Sequence, residues 1–166
     1  MDFLEEEFDE ILNIFQIESE EIISRLNNNL LELEKDPNNK DSILVLFRDA
    51  HSLKGAARMI GFNNVQTIAH KVEDILGLAK EGELSFNSKI VDILYKTVDF
   101  LSELIQKSIV KKQEIYNEKV AEQITILENI KDYIDTSEEK EEKLDIKIEQ
   151  LTQNQTKIND LISESL

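Results

Sequence analysis

The chain contains no cysteine, one proline and four glycines among its 166 residues. Without cysteine it can form neither disulfides nor thiolate metal sites, and a reducing compartment is permitted. The scarcity of helix breakers, together with abundant Leu, Ile, Glu and Lys, favours helix and disfavours strand. The composition therefore predicts an all-α fold.

Long apolar runs and excess positive charge are also lacking. The amino-terminal sequence Met-Asp-Phe-Leu-Glu-Glu-Glu does not have the basic-then-apolar layout of a secretory signal. Lys and Arg total 19 against 35 Asp and Glu, which gives a net charge of −16. This charge opposes binding to nucleic acids and to anionic membranes. We expect a cytoplasmic protein with neither as a partner.

Apolar residues recur at helical spacing over residues 8–33, about 42–60, 65–79, 90–104 and 120–134. Asp36-Pro37 is expected to end the first helix, and Asp41 or Ser42 to cap the second. Gly61 stands where a left-handed C-cap is expected. Short connections make neighbouring helices antiparallel. The pattern predicts an antiparallel four-helix bundle with a fifth helix, together forming a domain over residues 1–134.

Residues 135–166 differ in composition from the rest of the chain. They open with a charged run that cannot bury enough apolar area to fold alone. Beyond it, apolar residues alternate in steps of four and three over residues 144–162, with one glutamine in the pattern. We expect a charged linker or a short coiled-coil-like helix. Weak self-association through 144–162 is one interpretation, and a helix lying on the bundle is another.

The chain has only two histidines, and the first lies on the second predicted helix. Steps of three, four and seven residues place Lys54, Gly55 and Arg58 on the same helix face as His51. Phosphoryl transfer requires positioning and nearby cations, which Lys54, with Arg58, can supply. Gly55 weakens a helix by about 1 kcal/mol relative to alanine, and close approach of a partner is one reason for it.

The second histidine, His70, shares one edge of the third predicted helix with Glu73. Both can face His51 across the groove between the helices. A histidine that accepts a phosphoryl group needs one exposed ring nitrogen and a hydrogen bond on the other, and Glu73 is the acceptor we expect. A metal site of these three residues is disfavoured because Lys54 would oppose a cation and no HExxH pair is present.

Residues 50–62, Ala-His-Ser-Leu-Lys-Gly-Ala-Ala-Arg-Met-Ile-Gly-Phe, resemble the histidine-containing phosphotransfer (HPt) domain at the amino terminus of CheA-type chemotaxis histidine kinases. Residues 68–74 are similar to that family's next helix, and the resemblance covers roughly residues 10–134. It implies that His51 is the phosphorylated histidine and that Glu73 hydrogen-bonds its ring. It also implies that Lys54 and His70 complete a polar network, and that Gly55 leaves room for a receiver domain.

The resemblance further implies a phosphocarrier rather than an enzyme. Its partners would be the ATP-binding domain of a histidine kinase and the receiver domain of a response regulator, with ATP and Mg²⁺ bound there and no cofactor or metal bound here. No glycine-rich nucleotide loop occurs among the four scattered glycines. The parent protein is expected to be a CheA-type kinase of which this chain is an amino-terminal part.

Two other functions remain open from the sequence. One is a structural helical bundle or coiled-coil adaptor in which the histidines are incidental. The other is the dimerising, phosphoaccepting hairpin of a conventional sensor kinase. That hairpin normally has a His-Glu-Leu stretch followed soon by proline, whereas Ser52 follows His51 and no proline comes later.

Overall fold

The computed structural model describes the backbone of residues 3–164, and the side chains in this range except those of 133–145, 161 and 164. The described backbone forms six α-helices and no strands. The helices are α1 (Phe3–Lys35), α2 (Lys40–Ile60), α3 (Asn63–Lys80), α4 (Ser88–Lys111), α5 (Glu118–Glu128) and α6 (Ile130–Glu164). The predicted all-α class is confirmed. None of the described helices is long and apolar enough to span a membrane.

Helices α1 to α4 form the bundle. Helix α2 packs against α1 and α3, and α4 packs against α1 and α3. Each helix contributes a stripe of leucine, isoleucine and valine, and fully burying one such side chain stabilises the fold by about 1.5–3 kcal/mol. The fully buried side chains include Ile22, Leu26, Leu46, Leu53, Ile68, Leu76, Leu94 and Leu101.

The ends of α2 fix the helix that carries the first histidine. Asn39 caps its amino terminus, with the side chain accepting a hydrogen bond from the Ser42 amide at 3.0 Å. The expected cap at Asp41 or Ser42 is therefore wrong by two or three residues. Gly61 ends the helix in the predicted left-handed conformation, with φ of +80°. Phe62 then turns inward, and its ring meets Phe15 edge-on with centroids 5.6 Å apart.

A partly buried ion pair joins α1 to α2. Both Nε and a terminal nitrogen of Arg25 donate to the buried carboxylate of Asp49, at 2.8 to 3.2 Å. The Asp49 hydrogen bond and charge raise the pKa of Arg25. Because a planar guanidinium fixes two hydrogen bonds at once, this pair restrains the rotation of α2 against α1.

Helix α5 is shorter than the fifth helix expected from the apolar pattern. It begins after the capping residue Asn117 and ends at Glu128, and α6 begins at Ile130. It packs mainly against α3, where Lys71 pairs with Glu128 at 2.8 Å, and the Gln123 side-chain amide also donates to the Thr97 hydroxyl of α4 at 2.8 Å. In the segment before α5, the carbonyl of Ile115 accepts a hydrogen bond from the Asn64 side-chain amide at 2.8 Å. The sequence also assigned Ile134 to the fifth helix, and its side chain is outside the described set.

The chain divides into two units, residues 1–130 and 131–166, whereas the sequence placed the boundary after residue 134. In its described part the second unit consists of α6 from residue 131 onward, whose backbone remains helical through the charged run. The apolar pattern of this helix has exposed side chains at Ile148, Leu151 and Ile158. Leu144 lies outside the described side chains. Whether this pattern mediates self-association stays a prediction.

Candidate functional site

His51 stands on the solvent-facing side of α2. Its neighbours Ala50, Leu53 and Ala57 are buried and hold the opposite face of the helix in the core. The His51 side chain is 64% exposed. The helical repeat thus places the imidazole at the surface while the opposite face of the helix packs in the core.

Glu73 of α3 reaches the His51 ring from the neighbouring helix. Its Oε1 lies 2.7 Å from Nδ1 of His51, and the Glu73 side chain is only 11% exposed. An ionised carboxylate can only accept hydrogen bonds, so Nδ1 carries the proton and donates it to Glu73. This tautomer leaves the lone pair of the neutral ring on Nε2, and that nitrogen is the one free to act as a nucleophile.

Lys54 contacts the other oxygen of the same carboxylate. Its ammonium lies 2.5 Å from Oε2 of Glu73, and the Lys54 side chain is 24% exposed. Oε2 is buried and has no well-directed hydrogen bond, so the contact is mainly an attraction between charges. Burial raises the pKa of Glu73, but the contacts with Lys54 and His51 outweigh it and hold the pKa below its ordinary value. Glu73 therefore stays ionised at neutral pH.

His70 is not part of this network, contrary to the expectation from the sequence. Its side chain is exposed, and its Nε2 lies 3.5 Å from Asp74 on the next turn of α3. Helical periodicity placed His70 and Glu73 on one edge, but only Glu73 faces α2. The three-residue offset rotates His70 far enough around α3 to direct it to solvent.

Gly55 and Arg58 lie on the exposed side of α2, as predicted. A Cβ atom added to Gly55 would meet no atom within 4 Å. The packing of this chain therefore gives no reason for a glycine there. Arg58 makes no ion pair with any described residue.

Two features of α2 and its surface were missed from the sequence. Arg48 is exposed one turn before His51, and the spacing rule that identified Lys54, applied in the other direction, would have found it. The second is an apolar groove between α1 and α2, lined by Ile11, Ile14 and Met59 among others. Met59 is 88% exposed. No local pattern indicates this groove, because it depends on how the two helices pack.

Nothing in the described part of the chain resembles a metal centre, since no three His, Asp or Glu side chains there are grouped to hold an ion. The site instead consists of an oriented imidazole, a buried carboxylate and nearby cations. This arrangement suits an exposed nitrogen nucleophile that accepts and releases an anionic group.

Comparisons with known proteins show which family the chain resembles. A family model, the Hpt domain, matches residues 10–109. The chemotaxis protein CheA of Halobacterium salinarum is 41% identical over 91 residues, which is 55% of this chain and 14% of that protein. The chain spans about one-eighth to one-seventh of the length of the curated CheA relatives, 12–15% in each case.

Solved structures match as well. The solution structure of the histidine phosphotransfer domain of CheA is 30% identical with a TM-score of 0.67, covering 74% of this chain and 92% of that one. The phosphorylated P1 domain of CheA3, in complex with CheY6 from R. sphaeroides, has a TM-score of 0.69 and covers 73% of this chain and 94% of that one. Its 23% identity supports the fold alone. With the family model spanning more than half of the sequence, the chain belongs to the Hpt domain family.

Proposed function

We propose that this chain is the phosphohistidine carrier of a chemotaxis-type phosphorelay. Nε2 of His51 accepts the γ-phosphoryl group of ATP from the ATP-binding domain of a histidine kinase, and ADP leaves. The phosphoryl group then passes to an aspartate of a response-regulator receiver domain, which breaks the N–P bond and forms an acyl phosphate. The chain acts in the cytoplasm as part of a CheA-type kinase.

The observation that carries this proposal is the contact between His51 and Glu73. An exposed imidazole whose Nδ1 is held 2.7 Å from a nearly buried carboxylate presents Nε2 to an incoming group. The ionised Glu73 also stabilises the positive charge that the ring gains as Nε2 attacks phosphorus. A histidine that was incidental to function would not require a buried carboxylate on the adjacent helix.

The surface around His51 supports a receiver as the second partner. The groove between α1 and α2 exposes Ile11, Ile14 and Met59, the last of these on the same helix as His51. A receiver that covers these apolar side chains would bring its aspartate to Nε2 over Gly55, where no side chain intervenes. The structural relative captured with CheY6 is consistent with this kind of partner.

The chemistry that this site can perform is acceptance and release of the phosphoryl group. Binding and orienting ATP belong to the kinase partner, and Mg²⁺ is expected on the partner domains. In this proposal Lys54 keeps Glu73 ionised and in place through its 2.5 Å contact, so its effect on His51 is indirect.

Phosphorylation by a CheA-type kinase that lacks its own phosphotransfer domain tests the proposal. The purified chain is incubated with ATP, Mg²⁺ and the kinase, and acid-labile label is measured on wild type, His51→Gln and His70→Gln. His70→Gln is a matched control because it removes the only other histidine, which is also exposed. We expect label on wild type and His70→Gln, and none on His51→Gln.

Transfer is then measured by adding a receiver domain to the labelled chain. Loss of label from His51 with its appearance on the receiver is the expected result. If kinases that are active on their own substrate domains leave wild type unlabelled, or if His51→Gln is labelled as well as wild type, the carrier function is wrong. The chain would then be better described as a helical adaptor.

A further inference from the structure

Two arginines flank His51 on the exposed side of α2, Arg48 before it and Arg58 after it. Neither makes an ion pair within the part of the chain that the structure describes. Lys54 differs from both, because the Glu73 carboxylate already neutralises its charge at 2.5 Å. The candidates for the cation that binds an anionic group on His51 are therefore Arg48 and Arg58.

The position of each arginine along the helix distinguishes them. With a rise of 1.5 Å per residue, the backbone of Arg48 lies about 4.5 Å before His51, and that of Arg58 about 10.5 Å after it. Helical side chains lean toward the amino terminus, so the His51 ring covers the turn that carries Arg48. Arg58 leans toward His51 by the same rule, but it starts two turns away. Residues three apart on a helix are also direct neighbours on its surface.

From this placement we infer that Arg48 binds the phosphoryl group carried on Nε2 of His51. The inference deepens the proposed function and rests on it. The planar guanidinium offers paired N–H donors that match two phosphoryl oxygens. The same contact stabilises the charge on those oxygens during transfer. Arg48 thereby takes the role that the sequence suggested for Arg58.

Phosphoramidate provides a test that needs no partner protein. Nε2 of His51 attacks phosphorus, the P–N bond of the donor breaks, and ammonia leaves from a donor nitrogen already protonated by solvent. The product is the phosphohistidine form of the chain. No partner protein binds the chain in this reaction. A change in the phosphorylation rate of a variant therefore reports on contacts between this chain and the phosphoryl group.

The rate of phosphorylation by phosphoramidate is measured by mass spectrometry for wild type, Arg48→Gln and the matched control Arg58→Gln. We expect Arg48→Gln to be slower by roughly tenfold, less than the loss of a buried transition-state donor because this site is exposed to solvent. Arg58→Gln should remain within about twofold of wild type, since its side chain lies two turns away. The phosphorylation rate of Arg48→Lys should lie between those of wild type and Arg48→Gln, because lysine keeps the charge but lacks the paired donors of arginine.

Ionic strength gives a readout that a structural role of Arg48 would not change. Salt screens an exposed cation, so the difference between wild type and Arg48→Gln should narrow as salt is raised. Thermal unfolding should be nearly unchanged in both glutamine variants, because each arginine is exposed and makes no ion pair with the residues that the structure describes.

The outcomes separate this inference from the proposed function. If wild type is phosphorylated and the two glutamine variants react equally fast, Arg48 does not bind the phosphoryl group and the inference is wrong. If wild type accepts no phosphoryl group from phosphoramidate or from any active kinase, the proposed carrier function itself fails.

Discussion

Replacing Gly55 with alanine should make the free protein more stable and a worse phosphoryl donor. A glycine inside a helix costs about 1 kcal/mol relative to alanine, because the unfolded chain loses more freedom on folding. The new methyl group would meet no atom within 4 Å in this structure, so no internal clash offsets the gain. We expect the free energy of unfolding to rise by about 1 kcal/mol and the melting temperature by about 3–5 °C.

The same methyl group lies on the surface that a receiver must approach to reach His51. Insertion of a methyl group into a closely packed contact typically costs about 1–3 kcal/mol. A value near the lower end corresponds to roughly a tenfold slower transfer to the receiver. Urea unfolding measures the first effect, and the decay of phosphorylated chain after addition of receiver measures the second.

Gly77→Ala is the matched control, since Gly77 also lies inside a helix. Its added Cβ would make an ordinary contact with the Phe47 ring at 3.5 Å instead of facing open space. This variant should be stabilised without slower transfer. Unchanged or lower stability of Gly55→Ala would contradict the helix argument. Transfer at the wild-type rate by a stabilised Gly55→Ala variant would contradict the interpretation that this glycine allows a partner's approach.

Three further predictions concern Glu73, the Arg25–Asp49 pair and the apolar groove. Because the folded-state pKa of Glu73 is lowered from 4.5, its ionised form adds stability that is present above the unfolded pKa and is lost as pH falls through the lower folded value. The difference in free energy of unfolding between wild type and Glu73→Gln should therefore be constant above about pH 5.5. Below about pH 4.5 wild type should lose stability relative to the variant. Urea unfolding across this range measures the difference, and a difference that stayed constant throughout would contradict the prediction. Arg25→Gln leaves the buried Asp49 carboxylate without its guanidinium and should lower the free energy of unfolding by about 1–2 kcal/mol, with phosphoramidate labelling of the folded protein unchanged; equal stability in urea would show that the pair contributes nothing. Ile14→Glu places a charge in the groove between α1 and α2 and should weaken receiver binding measured by calorimetry without slowing phosphoramidate labelling, whereas unchanged binding would move the docking surface elsewhere.

Local features of the structure were predictable where they depend on nearest neighbours along the chain. Gly61 adopts the left-handed C-cap that its position after an apolar helical run suggested. The cap of α2 was placed too late because Asn39, Asp41 and Ser42 are all good capping residues. The break at Asn129 between α5 and α6 was missed, because one non-helical residue hardly disturbs an apolar pattern read over several turns.

The sequence by itself determined that the chain is helical and that His51, Lys54, Gly55 and Arg58 share a face of one helix. Both follow from propensity and from the 100° step between residues, which act within a few residues of the chain.

Only the tertiary structure decided that Glu73, 22 residues away, meets Nδ1 of His51 while His70 turns to Asp74. It likewise decided that Lys54 is held by Glu73. These contacts depend on how α2 and α3 are rotated against each other. That rotation is set by burial of every apolar stripe in the bundle together, and no local spacing in the sequence contains it.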